Sequence, residues 1–358
     1  MNLKKLIALG LAGCFLFSGC AEQRAVAQQM LENSKQENRY ESTSFAMDTI
    51  MTFTIIHEDG EELLIDAEQE VRRLENLLSV TIDNSEVKQI NENAGNEPVR
   101  VSADTLALLQ AGKEMGAATG NAFDIAISPV VKAWGFTEEE HSVPAQETID
   151  ALLTLTSLDD VTVDVENSTV YLEKEGMAVD LGGIAKGYAS DKLAELLKGK
   201  GVESALLSLG GNICAIGTKP DGSLWKTAVQ NPLDANDYVG LLEVSDICIV
   251  TSGGYQRYFE QNGKQYHHII DPATGWPAES GLLSVTIVCE SGTKADALST
   301  ALFVMGLDDA LKYWKTQNDF DAIFVTTDGE VVATEGLKDS FQFEGQDNDF
   351  TYRLAERG

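Results

Sequence analysis

The chain has 358 residues, 43% of them hydrophobic, with 57 Asp and Glu against 26 Lys and Arg and a formal charge of −31. That length allows a substantial core, in one large domain or two. The acidity argues against nucleic acid and a polybasic membrane patch as partners. It also repels small anions, so a phosphate-bearing ligand needs a bound cation to reverse the local field.

The first residues stand apart from the fold. "MNLKK" is basic, "LIALGLAGCFLF" is apolar, and "SGC" ends at Cys20. The apolar run is too short to span a bilayer, which takes roughly 20 residues. Residues 1–19 therefore read as a lipoprotein signal peptide, with Phe17 where Leu is commoner; a plain secretory signal is the alternative. Acylation of Cys20 would anchor the mature chain to a membrane outside the cytoplasm. Loss of Lys4 and Lys5 with the signal would take the charge from −31 to −33. Residues 20–43 are polar and read as a tether between lipid and domain.

"SFAMDTIMTFTIIHE" alternates and is read as one strand. "EELLIDAEQEVRRLENLLSV" places Leu63, Leu64, Ala67, Val71, Leu74, Leu77 and Leu78 on one helical face. "ADTLALLQAGKEMGAATG" is a second helix, ended by Gly120. "NAFDIAISPVVKAWGF", residues 121–136, reads as an apolar strand with Asp124 closing the turn before it. In "MAVDLGGIAKGYASDKLAELLKGKG" a short strand ends at Asp180, glycines follow and a helix begins. Further strands are "SALLSLGGNICAIGT", "LWKTAVQNP", "YVGLLEVSD", "ICIVTSGGYQRYF", "QYHHIIDP" and "LLSVTIVCE". "TKADALSTALFVMG" and "LDDALKYWKTQ" are helices, and "FDAIFVTTDGEVVAT" is a hairpin around Asp-Gly. Without strict strand–helix alternation, the fold class is α+β. The tail after Leu337 is polar and expected to fray. Cys214, Cys248 and Cys289 are odd in number, match no zinc spacing and lie in apolar runs, so they read as buried free thiols.

Several segments could carry chemistry. The Gly182–Gly183 bend before a helix start offers backbone N–H groups to an anion, with Lys186 adding a charge. A glycine bend that merely packs helix on sheet is the equal alternative. Asp296 and Thr300, four apart on a helix, share a face and supply hard oxygens suited to Mg²⁺. Taken alone, they read better as a helix-start carboxylate favouring the dipole and a space-filling Thr. Strand alternation sends His267 and His268 to opposite faces, so one at most enters a given pocket. No second His or Cys stands at zinc spacing. Thr251 and Ser252 precede a double Gly but make no G-x-S-x-G elbow, so a serine hydrolase has no support.

In this order "MDTIMTF", "NAFDIAISPVVKAWGF", "VDLGGIAKGYASD", "SLGGNICAIG", "VTSGGYQRYF", "HHIIDPATGWP" and "ADALSTALFVMG" resemble the ApbE family of flavin transferases. The resemblance implies a single T-fold-like α+β domain over residues 44–337, with 338–358 left as a polar tail. It implies transfer of FMN from FAD to a Thr or Ser hydroxyl of a client protein of a respiratory electron-transfer system, with release of AMP. By position, Met47, Ala122, Phe123, Asp124, Asp180, Lys186 and Ile270 would line the FAD site. Asp296, Thr300 and a backbone carbonyl near Gly183 would hold Mg²⁺, and His268 falls on the catalytic-type His. Thr81 stands where some relatives have an aromatic ring on the flavin, which leaves room for hydrolysis.

The residues suit such chemistry independently: attack on a pyrophosphate needs charge neutralised at phosphorus, an aligned nucleophile and a proton acceptor. His268 or an Asp beside the metal could take that proton. A Mg²⁺-dependent FAD pyrophosphatase and a non-catalytic FAD-binding lipoprotein remain the alternatives. "MGAATG" holds Thr119 among small residues, but at a helix end, where such residues belong; it is not read as a flavin acceptor.

Overall fold

The alternating run around residue 50 folds back on itself. β1 (Arg39–Ala46) and β2 (Thr49–Ile56) form a hairpin, not the single strand expected. Met47 and Asp48 close it at φ 48° and 57°, and two successive positive φ values match the twist of a two-residue hairpin. The computed structural model describes residues 38–136 and 140–358. The expected signal peptide, Cys20 and the tether up to residue 37 therefore lie outside the described residues, and residues 39–43 of that tether belong to β1.

α1 (Gly60–Leu78) buries Leu63, Leu64, Ala67, Val71, Leu74 and Leu78, as the spacing predicts. α2 (Glu86–Glu92), β3 (Val99–Arg100) and α3 (Ala103–Ala118) follow. Ser85 and Ser102 cap the two helices by accepting from Lys88 N and Thr105 N. Residues 121–136 are no strand: a turn leads into α4 (Ser128–Ala133). Pro129 sits in its first turn, where a fixed φ suits the helix and the missing N–H has no intrahelical partner to lose. Next come α5 (Gln146–Leu153), β4 (Val161–Asp164) and β5 (Thr169–Leu172). Met177–Asp180 joins no sheet, again unlike the expectation; Asp180 N–H instead bonds Ile125 O at 2.8 Å. α6 (Ala185–Gly199) opens after the glycines.

The second half is mostly strand. β6 (Ala205–Leu209), β7 (Asn212–Ile216), β8 (Trp225–Asn231), β9 (Asp234–Val244), β10 (Cys248–Gly253), β11 (Tyr258–Gln261), β12 (Lys264–His267) and β13 (Leu282–Cys289) lead to α7 (Gly292–Met305) and α8 (Leu307–Lys315). β14 (Asp321–Thr326) and β15 (Glu330–Thr334) form the expected hairpin. The tail does not fray: β16 (Phe341–Phe343) pairs with β9, and β17 (Thr351–Ala355) pairs parallel with β15. Phe341, Phe350 and Ala355 are buried, which anchors an otherwise polar segment.

Among the described residues the main sheet has nine strands in the order β1-β2-β6-β7-β10-β13-β14-β15-β17. On one face α1, α3, α6 and α7 bury two apolar clusters against it. On the other, the β16-β9-β8 sheet covers a third around Trp225, Leu242, Ile323 and Val331. This is the three-layer α+β arrangement that segregated helices and antiparallel strands produce.

Cys214 and Cys248 face one another across β7 and β10 and are joined as a disulfide, correcting the expectation of free thiols. Cys289, the next strand's residue opposite Cys248, stays free and buried. Sheet register decided the pairing, and register is invisible in cysteine spacing.

Candidate functional site

The first turns of α6 and α7 interlock. A Cβ on Gly187 would stand 2.1 Å from the Gly292 carbonyl oxygen, so the crossing has room only for glycine. Asp191 of α6 accepts from Gly292 N at 2.6 Å, Thr293 N at 2.9 Å and Thr293 Oγ1 at 2.6 Å, capping α7 from outside. In return Asp296 Oδ2, on α7, accepts from Gly187 N at 2.8 Å. A helical Gly187 N–H would ordinarily bond the carbonyl of Gly183. Because it turns to Asp296, no hydrogen bond among the described residues reaches that carbonyl. Asp296 is only 4% exposed, yet it joins no ion pair among the described residues. One turn on, Thr300 Oγ1 lies 3.8 Å from where a Gly183 Cβ would be. Gly183, in the bend before α6, thus meets Asp296 and Thr300 of α7.

Lys186, Asp180 and Phe123 lie at the same bend. Lys186 Nζ donates to Gly182 O at 3.1 Å, and Asp180 Oδ1 accepts from Gly182 N at 2.8 Å. Burial raises the Asp180 pKa, the Gly182 N–H and the charges of Lys186 and Arg257 oppose it, and Asp48 adds to it. The hairpin turn is therefore close by, with Met47 N–H donating to Glu75 Oε1 at 2.6 Å. A ring carbon of buried Phe123 lies 3.2 Å from the Gly183 Cβ position. Asp124 Oδ1 accepts from Ala126 N at 2.7 Å, and burial pushes its carboxyl up to about 6. Ala122 and Asp124 line a cleft of ≈ 530 Å³ with Asp271, Ala273 and Val304.

β12 ends at His267, so strand alternation does not extend to His268. The two rings still part company. His267 Nε2 lies 3.1 Å from Ala278 O and its ring sits edge-on to Phe303. His268 Nδ1 lies 3.1 Å from Arg257 O and its ring sits edge-on to Phe136. Burial pushes His268 down to about 4, and the charges of Arg257, His267 and Lys186 act in the same direction. Ile270 bridges to Pro277 and packs with Val130, Trp134 and Ile149. After it Asp271 Oδ1 accepts from Ala273 N at 2.9 Å and turns the chain.

Residues 47–324 match the ApbE family, and this span holds every site residue named above. The chain belongs to the ApbE family. It is 38% identical to an FAD:protein FMN transferase of Klebsiella pneumoniae (strain 342), across 74% of this chain and 82% of that protein. It is 35% identical to an FAD:protein FMN transferase of Treponema pallidum (strain Nichols), across 75% and 78%. The solved ApbE protein of Thermotoga maritima MSB8 superposes with a TM-score of 0.79 at 34% identity, covering 84% of this chain and 98% of that one.

Two contributors to the site stand inside quoted motifs but were not singled out in them. Arg257, within "VTSGGYQRYF", presents its carbonyl to His268 and its charge to Asp180. Asp191 was visible only as the last letter of "KGYASD". Thr81 is exposed after α1, its hydroxyl 3.1 Å from Ser79 Oγ. Thr119, the discounted acceptor, is 5% exposed and donates to Met115 O at 2.8 Å, so it is not offered to a flavin.

Proposed function

We propose that this ApbE-family chain is an FAD:protein FMN transferase acting with Mg²⁺ on a client of a respiratory electron-transfer system. The observation that carries the metal reading is the pair formed by the Asp296 carboxylate and the Gly183 carbonyl. Among the described residues, the first is buried without a counter-charge and the second is left without a donor. A buried lone carboxylate is costly unless a cation joins it. Among the described residues no three His, Cys, Asp or Glu side chains converge. A cation here would therefore draw on Asp296, the Thr300 hydroxyl and the Gly183 carbonyl, hard oxygens that suit Mg²⁺. When bound, Mg²⁺ would neutralise charge on the pyrophosphate.

The chain's own residues supply the rest. Lys186 and the Gly182–Gly183 bend face the phosphates, and Met47, Ala122, Phe123, Asp124, Asp180 and Ile270 enclose the FAD. The client's Thr or Ser oxygen bonds to the FMN phosphorus as the bond from that phosphorus to the bridging oxygen breaks. The electron pair of the broken bond leaves on AMP. His268 takes the hydroxyl proton on Nε2, since Nδ1 is committed to the Arg257 carbonyl.

Mass spectrometry of a client coexpressed with this chain should find added FMN, reduced by about 10²-fold or more in Asp296→Ala. Free FMN and AMP without any adduct would replace transfer by hydrolysis. The "SGC" ending at Cys20 supports a lipid-anchored chain on the outer face of the membrane, and Cys20→Ser should move it to the soluble fraction.

A further inference from the structure

We propose that Ser252 is a positioning residue: it orients the Thr300 hydroxyl so that lone pairs, and not the proton, face the cation site. This rests on the reading of Thr300 as a metal ligand. Ser252, on β10, and Ser299 and Thr300, on α7, form a row of hydroxyls. Ser252 Oγ lies 2.7 Å from Ser299 Oγ and 3.3 Å from Thr300 Oγ1. Ser299 Oγ lies 2.8 Å from the carbonyl oxygen of Asp296.

The direction of the row follows from its end. A carbonyl only accepts, so Ser299 spends its proton on Asp296 O and must accept from Ser252. The Ser252 proton is then used, so Ser252 can only accept from Thr300. Thr300 gives its proton to Ser252, away from Gly183 and Asp296, and keeps lone pairs for a ligand. Ser299 is fully buried, and the partners its hydroxyl has in the structure are Asp296 O and Ser252 Oγ. A hydroxyl that pointed its proton at a cation would oppose it, and outer partners of this kind commonly change metal affinity 10–100-fold when removed. The same backbone carbonyl thus belongs to the residue whose carboxylate stands in the site, which ties the orientation of both side chains to one turn of α7.

Binding of Mn²⁺ to the purified protein, followed by loss of the free-ion EPR signal, tests this without any activity measurement. Ser252→Ala should bind Mn²⁺ about tenfold more weakly or worse, and Ser299→Ala should weaken it too by freeing the row to reverse. Ser252→Thr should restore most of the affinity. Thr251→Val is the control: Thr251 bonds Thr286 at 2.8 Å on the opposite face of β10 and should leave binding unchanged. Wild-type affinity in Ser252→Ala, or equal losses in Ser252→Ala and Thr251→Val, overturns the proposal. Absence of Mn²⁺ binding by the wild type overturns the metal reading first and this one with it.

Discussion

The Nδ1 of His268 faces the Arg257 carbonyl, an atom that can only accept, so the neutral ring carries its proton there and leaves Nε2 basic. Burial pushes the ring down to about 4 from the usual value near 6.5. The sign follows directly. The unfolded ring takes a proton as pH falls through about 6.5 and the folded ring only near 4, so folding disfavours protonation throughout that window and lost stability accompanies acidification across it. NMR titration of the imidazole, assigned with His268→Gln, should give a midpoint near 4. A midpoint near the solvated value would show that the ring is not enclosed as described. Between those values the folded ring is unprotonated, so Nε2 has a free lone pair.

The interlocked starts of α6 and α7 set the site's geometry as a unit, and Asp191 is its outer bolt. Its carboxylate satisfies amides that open α7 and would otherwise lack intrahelical partners, and it complements the positive end of that helix. Asp191→Ala should cost about 2 kcal/mol, a fall of roughly 5 °C in Tm by thermal unfolding. It should also weaken FAD retention, because Gly183 and Asp296 would lose their register. An unchanged Tm would mean that the glycine crossing alone holds the helices. Legibility followed the same logic of local against distant cause. α1, α3, α6 and α7 showed in the sequence because their spacing or their ends are local facts. α4 was hidden by a dense apolar run that fits either strand or helix, and only packing decides between them. The Asp191 bonds and the Cys214–Cys248 pair join residues about 100 and 34 positions apart, respectively, where no periodicity reaches. The candidate site residues were named from ordered motifs; Arg257 and Ser299 stand in two of those motifs, but their contacts with His268 and Ser252 became visible only once the chain was folded.

The molecule as a whole is anionic, with a formal charge of −31, and its proposed substrate is anionic too. Field and ligand are at odds unless a cation intervenes. Chelation by EDTA should therefore stop both FAD cleavage and client labelling, and added Mg²⁺ should restore both. Persistence of either activity without divalent ions would defeat the cation reading. Scale also explains why the tail was misjudged: the chain after Leu337 is polar by composition, but β15 gives Thr351–Ala355 an edge to join. That placement has a consequence for biogenesis. The two margins of one sheet come from opposite ends of the polypeptide, Arg39–Ala46 and Thr351–Ala355, and Met51 on β2 must find Leu209 on β6. A nascent chain emerging from its N-terminal end holds unfinished strand edges until its closing segment arrives. Such long-range pairing is slow, and the open edges in the meantime are the surface that chaperones guard.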